Sequence, residues 1–375
     1  MLFFVSLLAV AALLIACGVL YQIVALKSDK RRFPPAGRLV DVGGHRLHLY
    51  ELGSGAPTVV LESGISASSL NWRRVQTEVA HFARVCSYDR AGLGWSDLCK
   101  EPCTPGSLAA QLHLLLRRAG IVAPYVLVGH SFGGLIVRAF AAKFPDETAG
   151  LVLIDPLDPA EWTPVTRAQH RTIARGISLS RRGAIAARLG IVRLCLDLLL
   201  AGNRVVPRTA AKMWSGSAAR VTERIAGEVS KMPEETWPLI AAHWKHHKSF
   251  EGMARHFECL GESIREMTEA PALETPVMML VGAKNEHATN PADYAERISP
   301  LTRLIVAENS GHWIHLDEPE LVVNSILEMV ERARESLGNA ISSDTETIGP
   351  KSRAVVAKEP RPAIGRTSNR DAETS

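Results

Sequence analysis

The sequence is organised around one stretch, residues 125–134, which reads YVLVGHSFGG. Its apolar start, residues 125–128, is typical of a buried strand, and residues 135–144 follow the spacing of an amphipathic helix. Ser131 stands between these elements with a glycine two positions away on each side, where a sharp turn leaves no room for a Cβ atom. The serine hydroxyl would project above the sheet edge, and the helix N-terminus would direct backbone N–H groups at an anion there. The stretch therefore predicts a nucleophilic serine. The flanking strand and helix support this prediction more strongly than the pentapeptide GHSFG, residues 129–133, does by itself.

Short apolar strands alternate with amphipathic helices on both sides of this stretch. Further strands are predicted at residues 38–42, 45–50, 58–61, 84–88, 150–154, 277–281 and 303–307. The first two form a hairpin with a two-glycine turn, and the others are largely apolar runs, which is typical of a parallel sheet covered on both faces. Residues 157–272 contain only helical patterns. They predict a helical insertion over the carboxyl ends of the strands, where ligands bind in open α/β sheets.

The N-terminal residues 1–26 are almost entirely apolar and are long enough to span a bilayer as a helix. We interpret them as a transmembrane anchor. A cleaved signal peptide is an alternative, but the apolar run is longer than a signal core and no basic residue precedes it. The sequence LIAC ending at Cys17 also resembles a lipoprotein-type cleavage box, which leaves a lipidated form as a second alternative.

A basic linker, residues 27–37, follows the apolar run, and its lysine and arginine residues come directly after the span. The positive-inside rule places this flank, and with it the following domain, on the cytoplasmic side. The folded domain is predicted over residues 38–336. Residues 337–375 have no aromatic residue and mixed charges, so we expect a disordered tail.

Four stretches carry a resemblance to a known family: residues 61–64, 88–96, 128–134 and 310–313. On these stretches the chain resembles a serine hydrolase of the α/β-hydrolase fold, in the lid-bearing esterase and peptidase-like branch. The resemblance covers residues 38–336. It implies an α/β fold with a mostly parallel sheet, helices on both faces and a helical cap insertion, and it implies no metal or organic cofactor.

A serine nucleophile needs an adjacent base, and in this family the order along the chain is serine, acid, histidine. The chain has 13 histidines. His312 fits the base best because it follows the last predicted strand in a glycine-containing loop before the closing helix. His315 is the local rival and is expected to be a packing or surface residue.

The acid departs from the common pattern of the family. Relatives often place an aspartate a few residues after the strand at 277–281, where this chain has Asn285. An asparagine can orient an imidazole but cannot offset the charge of an imidazolium. Asp155, at the end of the strand at 150–154, is the preferred acid, and Glu286 is the alternative. Asp158, or no acid at all, remains open as a third reading.

The resemblance assigns the oxyanion hole to the backbone amides of Ile65 and Phe132. Two such donors stabilise the negative charge that develops in acyl transfer, and one donor contributes roughly 3–4 kcal/mol. Asp89 and Arg90, in the glycine-rich stretch after the strand at 84–88, are expected to brace the turns beneath the site.

These features predict acyl transfer to Ser131 with a small apolar carboxylic ester as substrate. An amide or an iminopeptidase-type peptide is the second substrate class. A non-hydrolytic ligand-binding protein on the same fold is an alternative of a different kind, which Asn285 keeps open. Epoxide and haloalkane chemistry is disfavoured because relatives that perform it use an aspartate as nucleophile. The net charge of +4 is small and dispersed, which argues against nucleic acid as a partner.

Overall fold

The structure is a computed structural model of the 375-residue chain. It describes residues 1–201, 229–285 and 288–347, with side chains described to residue 198 in the first range and to residue 339 in the last. The described residues belong to two units, residues 1–334 and the residues from 335 onward.

An eight-stranded sheet forms the centre of the first unit, in the order β1-β2-β4-β3-β5-β6-β7-β8. Its strands are β1 (Arg38–Asp41), β2 (Arg46–Leu52), β3 (Thr58–Glu62), β4 (Val85–Tyr88), β5 (Tyr125–His130), β6 (Thr148–Ile154), β7 (Val277–Gly282) and β8 (Thr302–Ala307). The pairs β1–β2 and β2–β4 are antiparallel, and all other pairs are parallel. The predicted mostly parallel sheet and its edge hairpin are confirmed.

Helices cover both faces of this sheet, as the apolar strands predicted. One layer contains α3 (Pro105–Ala119), α4 (Phe132–Lys143) and α10 (Pro291–Ile298), and the opposite layer contains α2 (Arg73–Val79) and the first turns of α12 (Pro319–Thr347). Successive side chains of a strand point to opposite faces. In β5, Leu127 therefore packs against the first layer, whereas Val126 and Val128 pack against the second.

The described elements between β6 and β7 are all helical. The longer ones are α5 (Arg167–Arg188), α6 (Ile191–Ala201), α7 (Trp237–Trp244), α8 (His247–Glu258) and α9 (Leu260–Thr268), and together with their connections they are called the cap below. The cap touches the turn after β4, where a Cβ on Gly92 would lie 2.9 Å from the Cα of Gly252 in α8. This contact is at the carboxyl end of a strand. The predicted boundaries of the insertion, 157–272, stay a prediction.

The N-terminal helix α1 (Leu2–Arg32) continues beyond the predicted anchor. The first part of the predicted basic linker, residues 27–32, is helical, and the boundary between anchor and linker at residue 27 stays a prediction. Lysine and arginine are good helix formers, and basic side chains in a last helical turn interact favourably with the helix dipole. Within the described part of the chain, α1 is the helix long and apolar enough to cross a bilayer.

The closing helix α12 also extends beyond its predicted end at 336, to Thr347. The tail predicted from 337 onward therefore begins with helical residues. Residues 337–347 contain Gly338 and several serine, threonine, asparagine and aspartate residues, whose helix propensity is lower than that of alanine or leucine, so local composition did not indicate this continuation. Residues 348–375 lie outside the described residues.

Candidate active site

Ser131 occupies the sharp turn between β5 and α4. Its φ of +53° lies in the left-handed region, which is uncommon for a residue other than glycine, and the residue is 7% exposed. A Cβ on Gly129 would lie 2.7 Å from the carbonyl oxygen of Gly133, and one on Gly133 would lie 2.6 Å from that of Ser63. The two glycines of the motif are therefore required by close backbone approach, as the sequence indicated.

Phe132 and Ile65, the predicted oxyanion donors, lie on either side of this turn. Phe132 is the first residue of α4, and the first four amides of an α-helix have no acceptor within the helix. Ile65 follows Gly64, which lies beside the serine side chain: a Cβ on Gly64 would lie 3.4 Å from the Cβ of Ser131. Phe132 and the residue before Ile65 therefore adjoin Ser131, and the role of the two amides as oxyanion donors stays a prediction.

His312 lies in the loop between β8 and the short helix α11 (Ile314–Asp317). Its Nδ1 donates a hydrogen bond of 2.6 Å to Oδ2 of Asp155, and its side chain is 20% exposed. Nε2 of His130, the residue before Ser131, donates a bond of 2.9 Å to the carbonyl of His312. The segment that carries Ser131 and the loop that carries His312 are therefore joined directly.

Asp155 directly follows β6 and is 2% exposed, with a φ of +42°. Its Oδ1 accepts a bond of 3.2 Å from the amide of Gly282, at the end of β7, and its Oδ2 accepts one of 2.6 Å from Nδ2 of Asn285. The structure thus brings together the predicted acid, the predicted base and the asparagine at the family's more common acid position. Glu286, the alternative acid, lies outside the described residues.

Asp158, the third reading for the acid, is engaged elsewhere. Its Oδ2 pairs with Arg297 at 2.6 Å and accepts a bond of 2.7 Å from the hydroxyl of Thr289. Its Oδ1 accepts from the amide of Ala160 at 2.9 Å. Asp158 therefore has a structural role, because it joins the segment after β6 to Arg297 of α10 and to Thr289.

Arg90 is fully buried and binds the loop of residues 63–65, which is called the oxyanion loop below because it contains the predicted donor Ile65. It donates to the carbonyl oxygens of Ser63 at 2.6 Å and Gly64 at 2.5 Å, and it pairs with the carboxylate of Glu62. Burial is the main reason that the pKa of Glu62 is raised, while the Arg90 charge opposes that rise. By binding these carbonyls, Arg90 fixes the peptide group that contains the Ile65 N–H and the peptide group before it.

The same guanidinium also reaches the cap. Nε of Arg90 donates to Nε2 of His256 in α8 at 3.1 Å, and Nδ1 of His256 donates to the carbonyl of Gly252 at 2.7 Å. Burial lowers the pKa of His256 to about 3, so the ring is neutral and can accept from the arginine. Sequence reasoning missed this link, because nothing local marks a histidine 166 positions away as a partner.

Asp89 braces the neighbouring turns. Its carboxylate accepts from the amides of Ser69 at 2.8 Å and Trp95 at 3.0 Å, and it lies 2.9 Å from Nδ1 of His48. Burial opposes its ionisation, but the contact with His48 and further backbone bonds lower the pKa of Asp89 below its ordinary value. The bracing role predicted for Asp89 and Arg90 is confirmed.

His315, the rival to His312, is a packing residue as expected. It is 1% exposed, and its ring centroid lies 4.6 Å from that of Trp72 and 4.5 Å from that of His130. Burial lowers the pKa of His315 to about 3. A cleft of about 250 Å³ opens beside it, between α2 and the residues before α7.

Comparisons with known proteins agree with this architecture. The family model of the alpha/beta hydrolase fold matches residues 57–319 of the chain. An AB hydrolase superfamily protein of Gibberella zeae is 24% identical over 293 residues, which cover 74% of this chain and 87% of that protein. The chain spans 51%, 47% and 42% of three further curated relatives, about half the length of each.

Solved structures show the same fold. A thermophilic esterase from Thermogutta terrifontis superposes with a TM-score of 0.52 at 22% identity, covering 79% of this chain and 98% of the esterase. The epoxide hydrolase CorEH superposes with a TM-score of 0.59 at 19% identity, covering 78% of this chain and 97% of that enzyme. At these identities the superpositions establish the fold alone.

Proposed function

The chain belongs to the alpha/beta hydrolase family, and we propose that it is a serine hydrolase that cleaves apolar carboxylic esters through an acyl-enzyme on Ser131. The observation that carries the proposal is the 2.6 Å bond between Nδ1 of His312 and Oδ2 of Asp155, at the sheet edge where the serine turn lies. A buried carboxylate on Nδ1 selects the imidazole tautomer whose Nε2 can accept a proton.

In the first half of the reaction, Oγ of Ser131 attacks the ester carbonyl carbon while Nε2 of His312 takes the hydroxyl proton. The carbonyl oxygen becomes an oxyanion, and the amides of Ile65 and Phe132 stabilise it by hydrogen bonds. His312 then gives its proton to the leaving alkoxide oxygen as the carbon–oxygen bond breaks. The products of this half are an alcohol and an acyl group on Ser131.

In the second half, His312 takes a proton from a water molecule whose oxygen attacks the acyl carbon. Collapse of the second tetrahedral intermediate releases the carboxylic acid and returns the proton to Oγ of Ser131. In both halves Asp155 stabilises the imidazolium. Asn285 and the Gly282 amide hold the carboxylate in place for that purpose.

The surroundings of the turn favour an apolar substrate. Phe132 lies in an apolar cluster with Leu135 and Ile136 of α4 and with residues of α9 in the cap, and Ile65, Leu157 and Trp162 pack against this cluster while remaining partly exposed. Apolar walls with a few directed polar groups are typical of small-molecule sites. An acyl chain would bury its surface against these side chains.

A serine at position 131 favours acyl transfer over epoxide hydrolysis. The resemblance implies that relatives with epoxide or haloalkane chemistry form their ester intermediate on an aspartate carboxylate. A serine hydroxyl has to lose a proton before it attacks, which makes the His312–Asp155 pair necessary. Acyl transfer uses both features.

We further propose that α1 anchors the protein in a membrane by a single span, with the hydrolase domain on the cytoplasmic side. The helix has 31 residues, and its apolar part exceeds the roughly 20 residues that a bilayer core requires. The basic residues Lys30, Arg31 and Arg32 form its last turn. Their position after the span supports the orientation by the positive-inside rule.

Hydrolysis of p-nitrophenyl esters of graded chain length by the full chain in detergent micelles tests the enzymatic proposal. Ser131→Ala should abolish turnover, with a fall in kcat of about 10⁴-fold or more. Asp155→Asn should lower kcat by about 10³- to 10⁴-fold, because the amide leaves the imidazolium without a counter-charge. Glu286→Gln serves as the matched carboxylate control and should stay close to wild type.

Each departure from this pattern has a defined meaning. A larger loss with Glu286→Gln than with Asp155→Asn would transfer the acid role to Glu286. Hydrolysis of anilides but not of esters would assign the amidase alternative. Turnover that survives Ser131→Ala would overturn Ser131 as the nucleophile. A folded wild-type protein that binds esters without cleaving them would overturn the hydrolase proposal in favour of a ligand-binding protein.

A further inference from the structure

Helix α1 packs closely against the cap near the turn between α5 and α6. A Cβ on Gly18 would lie 2.5 Å from the carbonyl oxygen of Leu189, and one on Gly190 would lie 3.0 Å from the carbonyl oxygen of Gly18. Glycines at such positions allow two backbones to approach each other, as they do between packed membrane helices. The end of α5 and the start of α6 therefore lie directly beside Gly18.

A buried polar network fixes the position of the cap along α1. Gln22 is 2% exposed, and its Oε1 accepts a bond of 2.8 Å from Nε of Arg193 in α6. Its Nε2 donates to the carbonyl of Lys245 at 2.7 Å. Arg193, itself 3% exposed, also pairs with Asp29 at 2.6 Å. Because these bonds satisfy buried groups on both elements, sliding α1 by one turn would leave polar atoms unpaired.

This position determines the depth of the cap relative to a membrane. Gly18 and Gln22 both precede Lys27, the first charged residue of α1. At 1.5 Å per residue, Gly18 lies about 13 Å deeper along the helix axis than Lys27. If the apolar part of α1 is in the bilayer, the α5–α6 turn beside Gly18 is at the level of the headgroups or just below them.

The part of the cap at this level exposes apolar side chains. On α6, Ile191, Leu194 and Leu198 are 50%, 55% and 57% exposed, and their spacing of three and four places them on one helix face. Arg193 is on a different face, turned toward α1. The exposed stripe of α6 thus lies beside a helix whose apolar side chains are themselves exposed.

Helix α5 presents a mixed basic and apolar face. Its exposed residues Arg171, Arg175, Leu179, Arg182 and Ile185 recur at spacings of three and four, whereas Ser180, Ala184 and Ala187 are buried. Arginines interleaved with leucine and isoleucine are typical of helices that lie in the interface of an anionic membrane.

From these observations we propose that the cap itself is seated on the bilayer, with the Ile191, Leu194 and Leu198 face of α6 in the interfacial layer and the outer face of α5 against anionic headgroups. The occupant of this surface is the lipid of the membrane that α1 enters, since the stripe continues the exposed apolar surface of α1 at the same depth. The inference rests on the proposed anchor and is independent of the proposed ester hydrolysis. In this arrangement α1 sets the orientation of the whole cap relative to the membrane.

Site-directed nitroxide labelling of the full chain in nanodiscs of phosphatidylcholine and phosphatidylglycerol tests the seating. Labels are introduced through Leu194→Cys or Leu198→Cys in a chain whose cysteines 17, 99, 195 and 259 have been replaced by serine. The control is Val122→Cys. Val122 is 75% exposed and lies just before β5, at the amino ends of the parallel strands, whereas the cap contacts their carboxyl ends. Collision rates with oxygen, which concentrates in lipid, are compared with those of a water-soluble nickel chelate.

We expect oxygen to dominate at positions 194 and 198 and the nickel chelate to dominate at 122. Equal nickel access at all three positions would overturn the seating of the cap, and exclusion of both reagents from 194 and 198 would overturn it in favour of a protein contact, such as a second copy. Flotation with vesicles after an alkaline wash tests the anchor separately. Loss of the chain from the vesicles would overturn the anchor and the seating together, whatever the result of the ester assay.

Discussion

Asn285 and His312 bind the same carboxylate oxygen: Nδ2 of Asn285 and Nδ1 of His312 each lie 2.6 Å from Oδ2 of Asp155. The residue at the family's more common acid position is therefore a hydrogen-bond donor to Asp155, the proposed acid. This arrangement explains how an asparagine at 285 is compatible with a charged partner for His312. Oδ2 of Asp155 thus accepts two hydrogen bonds, and the bond from Asn285 helps to hold this oxygen where it contacts the imidazole of His312.

Asn285→Ala is expected to lower kcat by about tenfold without a comparable change in KM. A hydrogen bond to a charged group contributes about 1.5–3 kcal/mol, and its loss leaves the carboxylate less well held during proton transfer. Asn285→Asp should be worse than Asn285→Ala, because it places a second carboxylate against Asp155. Steady-state kinetics of both variants check the order, and an Asn285→Asp enzyme with wild-type kcat would contradict the assigned arrangement.

Gly133→Ala is expected to destabilise the protein by roughly 2–4 kcal/mol and to remove activity, because its Cβ would collide with backbone rather than with a flexible side chain. The collision is with the carbonyl oxygens of Ser63 and Glu62, at 2.6 and 2.7 Å. Gly261→Ala, in α9 where nothing lies within 4 Å, is the matched control and should be neutral or stabilise by up to about 1 kcal/mol. Urea unfolding monitored by circular dichroism measures both; equal effects of the two changes would refute the steric argument.

Arg90→Lys is expected to lower kcat by more than tenfold while the protein stays folded. Lysine keeps the charge opposite Glu62 but cannot grip the Ser63 and Gly64 carbonyls in the planar arrangement of a guanidinium. The oxyanion loop would lose its support, which affects the transition state more than the ground state. The observable is therefore a fall in kcat with KM little changed.

Arg90→Met would go further, since it leaves the Glu62 carboxylate buried without its partner, at a cost of about 3–5 kcal/mol in stability. Arg38→Lys is the control. The Arg38 side chain is 51% exposed in its pair with Glu51, and exposed pairs contribute about 0–1 kcal/mol. If Arg90→Lys had normal kinetics, the clamp on the oxyanion loop would have no catalytic consequence.

Local sequence patterns predicted the features that depend on local structure. The strand before Ser131, the glycines around it and the loop of His312 each follow from residues a few positions apart, and the structure has them where the sequence placed them. The choice among Asp155, Glu286 and Asp158 could not be made in this way. It depends on the register of β6 against β7, in which Ile154 pairs with Leu280 and thereby sets the end of one strand beside the other.

Contacts between distant segments were beyond sequence reasoning for the same reason. The bond between Arg90 and His256 and the bond between Gln22 and Arg193 join residues 166 and 171 positions apart. Neither pair has a spacing or motif that marks it. The apolar run ends at residue 26, whereas α1 continues to Arg32, because charged residues do not by themselves end a helix.

The buried, neutral His256 predicts a pH dependence of stability. Burial lowers the pKa of His256 to about 3, whereas an exposed histidine in the unfolded chain titrates near 6.5. Between these values the unfolded state binds a proton that the folded state does not, so the free energy of unfolding falls as the pH falls from about 6.5 toward 3. This one group contributes a slope of up to about 1.4 kcal/mol per pH unit.

His256→Gln should reduce that slope, because glutamine can still accept from Arg90 through its amide oxygen but takes up no proton. Urea unfolding of the wild type and the variant at pH 7, 6, 5 and 4 gives the difference directly. The control is His170→Gln in α5, an exposed residue whose replacement should leave the slope as in the wild type. If the His256→Gln and wild-type curves stayed parallel down to pH 4, His256 would already be protonated in the folded state and its acceptor role toward Arg90 would be wrong.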